Sequence, residues 1–303
     1  MTGRWPFLLL ALSSSAALAQ ASNDFAYDIQ LAKLGNPQAG GFGYNPRADS
    51  NFRVFARQLA AAITSANGAP PETLGHSGFA MTAELSLASL SIPAAGDYRM
   101  PTAGTYQDFL KIPSLHLRKG LPASFEIGAR GAWIEQSRMG AATLEVKWAI
   151  NEGFTYFPDI GIRGSVTKVI NGRDFDLTTG GLDLGIGKQF ALGGMVTLTP
   201  YLGWNLMFVG ATTNSVDFHP SRSLEASETA SEQFTDFYVF SSLQASANAH
   251  NRFYGGARFV AGVVQLGAEV SYSLIGRFRD TKTNEDREVP SVLAINVMVG
   301  LDF

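Results

Sequence analysis

In the run Leu293-Ala294-Ile295-Asn296-Val297-Met298-Val299-Gly300-Leu301-Asp302-Phe303, the odd positions are all apolar. The even positions, Ala294, Asn296, Met298, Gly300 and Asp302, are small, polar or charged apart from Met298. Side chains of a strand alternate between its faces, so this run reads as an amphipathic strand with one greasy face. The same period of two recurs upstream. Phe125, Ile127, Ala129 and Trp133 oppose Glu126, Gly128 and Arg130, and Leu144, Val146, Trp148 and Ile150 oppose Glu145 and Lys147. Leu182, Leu184 and Ile186 oppose Asp183, while Leu266, Val270, Tyr272 and Leu274 oppose Glu269.

Charge follows the same division. Glu84, Glu126, Arg130, Glu145, Lys147, Arg163, Asp183 and Glu269 all fall opposite the apolar face, as does Asp302. A soluble sandwich would turn the charged faces to water and the apolar faces to a core; a membrane barrel reverses the two. Period alone does not choose between them. Strand length does help, because several segments run to about a dozen residues, against about 5–6 in globular sheets and about 9–11 for a membrane-spanning strand. The expected fold is all-β: an antiparallel transmembrane barrel of about ten strands over residues 78–303, with eight or twelve as alternatives.

The run 293–303 resembles the final strand of bacterial outer-membrane β-barrel proteins, which typically end on Phe after alternating apolar residues. The resemblance implies that Val299, Leu301 and Phe303 form an assembly signal read by the barrel-assembly machinery, and that the protein sits in the outer membrane in contact with its lipid. The hairpin Ile112-Pro113-Ser114-Leu115-His116-Leu117-Arg118-Lys119-Gly120-Leu121-Pro122, with Phe125-Glu126, is similar to one in uncharacterised Gram-negative barrel proteins of myxobacterial type. That likeness implies a location and a fold, with no reaction.

Residues 1–19 carry Arg4, a short apolar core and a small-residue end at Ala17-Leu18-Ala19, the pattern of a secretory signal peptide. Residues 20–77 form a different segment, periplasmic or plug-like. There Ser50 or Asn51 is positioned to cap a short helix with Phe52, Phe55, Leu59 and Ile63 on one stripe, ending near Asn67-Gly68. A helix packed under the periplasmic mouth is the favoured placement, and a plug inside the barrel the alternative. Val196 to Phe218 and Phe234 to Val260 exceed a membrane strand, which predicts one hairpin projecting above the outer surface with its tip at residues 220–231.

The net charge is −3, which gives no reason to expect a nucleic-acid partner. Zero Cys excludes disulfides and thiolate metal sites, and the His residues show no ligand spacing, so neither metal nor other cofactor is expected. Two pairs could be mistaken for catalytic chemistry. Ser114 and His116 share a strand face, a pairing similar to that of the outer-membrane lipid A deacylases, but the order Ser-x-His, the luminal face and the position near the periplasmic end all depart from that family. Asp217 and His219 lie in the largest outer loop, faintly like the omptin surface proteases, without a second acidic pair. The expectation is therefore no catalytic residue. The inward charges should form a polar network that fills a narrow lumen, and the protein should be non-enzymatic, with a structural, surface-interaction or passive small-solute role. The alternative is an outer-membrane hydrolase acting on lipid or peptide. No ligand is legible.

Overall fold

The computed structural model describes residues 25–90, 98, 100–105, 109–194, 196–221, 236–280 and 282–303. The signal segment 1–19 lies outside them. Ten antiparallel strands close into a barrel. They are β1 (Phe79–Leu90), β2 (Phe109–Leu121), β3 (Phe125–Trp133), β4 (Gly140–Asn151), β5 (Asp159–Ile170), β6 (Phe175–Gly187), β7 (Val196–Thr213), β8 (Ala249–Ala261), β9 (Val264–Leu274) and β10 (Val292–Asp302). Each strand pairs with its sequence neighbours, and the ring closes where β10 lies against β1, with Ala83 opposite Val299 and Ser86 opposite Asn296. The short strand Phe190–Leu192 pairs only with the start of β7 and stands outside the ring.

The alternation read from the sequence sets the two surfaces. Along β4, Leu144, Val146, Trp148 and Ile150 are exposed while Thr143, Glu145 and Lys147 are buried. Leu144 is 69% exposed and Leu202 61%, and the belt they belong to continues around the ring through Leu182, Val270 and Val297. Apolar surface on that scale is not tolerated by a soluble monomer; it belongs against hydrocarbon. Aromatic pairs mark one rim of the belt: Phe79 stacks on Phe303 at 6.0 Å and Phe125 on Trp148 at 5.9 Å. Aromatic girdles of this kind sit at the membrane interface.

The two mouths differ. One mouth joins β2 to β3, β4 to β5, β6 to β7 and β8 to β9, and the other joins β1 to β2, β3 to β4, β5 to β6, β7 to β8 and β9 to β10 through connections that are on the whole longer in sequence. Short turns face the periplasm and long loops the exterior in barrels of this type, so the second mouth is the outer one.

The N-terminal segment departs most from its expected placement. The helix α1 (Ala48–Ile63) does not lie under the periplasmic mouth. It fills the outer half of the lumen, and all its residues except Asp49 and Arg53 are buried. Its neighbours are the outer ends of the strands and the outer loops, including Leu90, Leu110, Val169, Phe175 and Val209. The physical reason is that both sides of α1 find cover there: Ala56, Ala60, Ala61 and Ala62 extend its apolar surface beyond the expected stripe, and the buried polar residues have partners at the outer mouth, Arg57 Nη2 donating to the Ile275 carbonyl at 2.6 Å. Ser50 and Asn51 lie inside the first turn and do not cap it; the N-cap position is Arg47, and Asn51 Oδ1 instead accepts from Arg287 Nη2 at 2.9 Å. The helix also stops earlier than expected, where Thr64 Oγ1 donates to the Ala60 carbonyl at 2.7 Å.

No outer hairpin projects from the barrel among the described residues. β7 ends at Thr213, and Val216–Asp217 makes only a two-residue ladder with Phe237–Tyr238. Phe218, Phe240 and Leu243 are buried over α1, with the Phe52 and Phe240 rings 5.3 Å apart. The extra length folds inward because apolar side chains beyond the membrane must find cover. Most of the expected tip, residues 222–231, lies outside the described residues.

Candidate functional site: a main chain gripped inside the barrel

Before α1, the chain stays at the outer mouth. Ile29 bridges to Thr102, Tyr27 N–H donates to the Gln136 carbonyl at 2.9 Å, and Arg47 pairs with Glu285 at 2.8 Å. After Thr64 it runs down the lumen as an irregular segment and reaches the periplasmic mouth, where Thr73 N–H donates to Glu152 at 2.8 Å and Lys119 Nζ to the Ser77 carbonyl at 2.6 Å. Residues 64–78 therefore thread the barrel from its outer to its periplasmic end, and β1 begins at the bottom.

An irregular segment lacks ladder partners, so its buried N–H and C=O groups must be met by something else. The wall side chains meet them. Arg130 donates to the carbonyls of Ala66 at 2.5 Å and Asn67 at 3.1 Å, and Arg163 Nη1 also reaches the Asn67 carbonyl at 3.1 Å. Glu269 accepts the backbone N–H of Asn67 at 2.7 Å and of Gly68 at 3.2 Å. Lys147 Nζ donates to the carbonyls of Pro70 at 3.1 Å and Glu72 at 2.8 Å, Glu126 accepts from Leu74 N–H at 3.0 Å, and Arg252 donates to the Thr64 carbonyl.

The same side chains are tied to one another. Glu84 pairs with Arg130 at 3.0 Å, Glu126 with Lys147 at 2.9 Å, and Arg163 with Glu145 at 3.2 Å and with Asp183 at 3.6 Å. His116 Nδ1 lies 3.0 Å from Glu84 and Nε2 2.9 Å from Glu145, linking the first pair to the third. Thus each of these eight inward charges singled out from the sequence is buried, and Glu126 with Lys147, like Glu269, joins the others through the threaded chain that they all surround. Charges taken out of water are tolerable only when paired and hydrogen-bonded in this way.

Sequence reasoning missed several members. Tyr201 donates to Glu269 at 2.9 Å and Tyr254 to Asp183 at 2.7 Å; both tyrosines occupy the inward face of a strand, which was the available signal. Arg258 pairs with Glu72 of the threaded segment at 2.7 Å. The inward glycines make the room. A Cβ on Gly161 would stand 2.6 Å from the Pro71 carbonyl oxygen, and one on Gly128 would stand 2.7 Å from Glu145. The space remaining beside Arg163, Arg252 and Asn205 amounts to about 20 Å³, room for roughly one water.

Neither candidate catalytic pair is assembled. Ser114 Oγ donates to Glu84 at 3.1 Å rather than to His116, and both ring nitrogens of His116 are occupied by carboxylates. Neither nitrogen is placed to take a proton from Ser114. Asp217 Oδ1 accepts the backbone N–H of His219 at 2.8 Å, and the His219 ring lies 4.5 Å from Phe42. Val299, Leu301 and Phe303 lie on the outward side of β10, away from the network, opposite Ala83, Met81 and, for the terminal residue, Phe79. Among the described residues no group of His, Asp and Glu has metal-holding geometry.

A closed antiparallel ring with a lipid-facing apolar belt and a charged, filled interior defines a transmembrane β-barrel of the outer-membrane class. No family model and no curated protein matches the chain. Among solved structures it is similar to Ail, the attachment invasion locus protein of Yersinia pestis, at 9% identity over 75% of this chain and 99% of that one, with a TM-score of 0.28. It is also similar to the outer membrane protease OmpT from Escherichia coli, at 9% identity over 78% and 99% with a TM-score of 0.36. A third is the translocator domain of the autotransporter NalP from Neisseria meningitidis, at 8% identity over 85% and 98% with a TM-score of 0.38. At these values the likeness assigns no role to any residue.

Proposed function

We propose that the protein is a sealed, non-enzymatic outer-membrane barrel whose work is structural and surface-directed. The threaded segment 64–78 carries this reading: it occupies the lumen that a transported solute would need, and its main chain is bonded to the wall from Thr64 to Leu74. The chain from residue 25 to α1, together with residues 100–105, 236–248, 275–280 and 282–291, then forms the outward face. Outer-membrane lipid surrounds the apolar belt, and the outward row Val299, Leu301 and Phe303 is the strand surface offered to the assembly machinery. The myxobacterial character of the 112–126 hairpin belongs to the same proposal.

The test is conductance of the intact protein in a planar bilayer. Small or absent conductance is expected, rising when Arg130 and Lys147 are both replaced by Ala, because both hold carbonyls of the threaded chain. A large, steady conductance from the unmodified protein would put passive solute transport first. Lipid and peptide hydrolysis assays should find no activity that depends on Ser114, His116 or His219.

A further inference from the structure

At the outer mouth, beside the first turns of α1, the structure has a cavity of about 240 Å³ whose lining includes Arg53, Gln244, Asn248, Phe278 and Arg279. We propose that it binds an oxyanion, a carboxylate or a phosphate monoester, carried by a polar molecule of about monosaccharide size.

Two arginines are prepared for such a group in the same manner. Arg53 Nε donates to Asn248 Oδ1 at 2.9 Å, with its guanidinium carbon 4.6 Å from the centre of the Phe278 ring. Arg279 Nε donates to Asn284 Oδ1 at 2.9 Å, and Asn284 holds the left-handed backbone, φ 56°, that asparagine accepts more readily than most residues. Each guanidinium is fixed through Nε, and the Nη edges make no hydrogen bond or ion pair among the described residues. Such an edge matches a carboxylate or phosphate with two parallel bonds. Arg53 is half-buried, so an anion there would be less screened than on open surface.

The other charges of the cavity are already engaged. Lys282 Nζ lies 2.5 Å from Asp49 and 3.1 Å from Tyr238 Oη; burial acts to lower its pKa, but these partners outweigh it and hold the ammonium above its usual range. Asp280 Oδ1 accepts the backbone N–H groups of Lys282 at 2.8 Å and Thr283 at 3.4 Å. Burial acts to raise the Asp280 pKa, and the bonds to its carboxylate bring it below the usual value. The charge of Asp280 still acts on Arg53, so the lining sets three cations, Arg53, Arg279 and Lys282, against two carboxylates, Asp49 and Asp280, and the Nη edges of the two guanidinium groups are what an anion can take. A volume of about 240 Å³ is below the 300–1,000 Å³ typical of drug-sized ligands, which sets the ligand's size.

This inference goes beyond the sealed-lumen reading, since binding at the mouth is measured separately from conductance. The full chain in lipid nanodiscs is titrated by calorimetry with glucuronate, with glucose 6-phosphate, and with glucose as the neutral control. The two anions should bind saturably and compete with each other, and glucose should not. Arg53→Gln and Arg279→Gln should each weaken binding about tenfold, as loss of a charge-assisted bond predicts, and together abolish it. Arg277→Gln, exposed, paired with Glu288 and absent from the cavity lining, should change nothing. Heat-modifiable migration of each variant confirms that it folds. Co-purification of a phosphorylated glycolipid with the unmodified protein, lost in the double variant, would identify the anion as a membrane lipid; binding of the soluble anions alone would identify a free solute. Absence of saturable anion binding, equal binding of glucose, or full binding by the double variant would overturn the proposal.

Discussion

The carboxylate of Glu269 accepts the backbone N–H of Asn67 at 2.7 Å, so a strand side chain holds the main chain of a segment 202 residues away in sequence. The other oxygen takes Gly68 N–H at 3.2 Å and the Tyr201 hydroxyl at 2.9 Å. This arrangement gives main-chain groups of an irregular chain partners as it crosses the barrel, and it gives the luminal charges a task beyond neutralising one another.

Replacing Glu269 by Ala should therefore strand two buried N–H groups and a hydroxyl, at about 1–3 kcal/mol for each donor left without a partner. Glu269→Gln keeps one oxygen and should cost less. Urea unfolding in lipid, followed by the loss of the heat-modifiable band, should rank the proteins unmodified, Gln, Ala in decreasing stability. Equal midpoints would mean that the grip on Asn67 carries no weight.

Gly161→Ala tests the fit of the threaded chain in a different way. The added carbon would lie 2.6 Å from the Pro71 carbonyl oxygen, so either the segment or β5 must shift. Overpacking of this kind costs about 1–3 kcal/mol, and a shifted segment should also raise bilayer conductance. Gly164→Ala, on the outward side of the same strand with open space beyond it, should leave both unchanged.

The fold was legible in the sequence because the two faces of each strand meet different media. Glu145 between Leu144 and Val146, or Asp183 between Leu182 and Leu184, marks an interior position whatever the rest of the chain does. The partners of those charges were not legible. Arg130 and Lys147 bond to carbonyls of Ala66, Asn67, Pro70 and Glu72, and a carbonyl is present at every residue, so Thr64-Ser65-Ala66-Asn67-Gly68-Ala69-Pro70-Pro71 shows no pattern that announces its role. The helix was legible as an element that needs apolar cover, but Phe52 and Phe55 do not say which mouth supplies it. The cavity at Arg53 and Arg279 joins residues distant in sequence through Asn248 and Asn284, each an ordinary loop residue when read alone.

Orientation can be checked in cells because the chain has zero Cys, so any introduced thiol is the only one. Phe42 is 59% exposed before α1, and Tyr156 is 94% exposed in the connection at the opposite mouth. A membrane-impermeant maleimide should label Phe42→Cys on intact cells, and Tyr156→Cys only after the outer membrane is permeabilised. The reverse pattern would invert the barrel and place the Arg53 cavity on the periplasmic side.

Hydrogen exchange of the Asn67 and Gly68 amides in the folded, lipid-embedded protein tests the threaded segment most directly. With both N–H groups donated to a buried carboxylate, they should exchange as slowly as amides of the barrel strands and open only with the barrel itself. Exchange within seconds, at the rate of an unstructured chain and with the strands still protected, would contradict a main chain gripped inside the lumen.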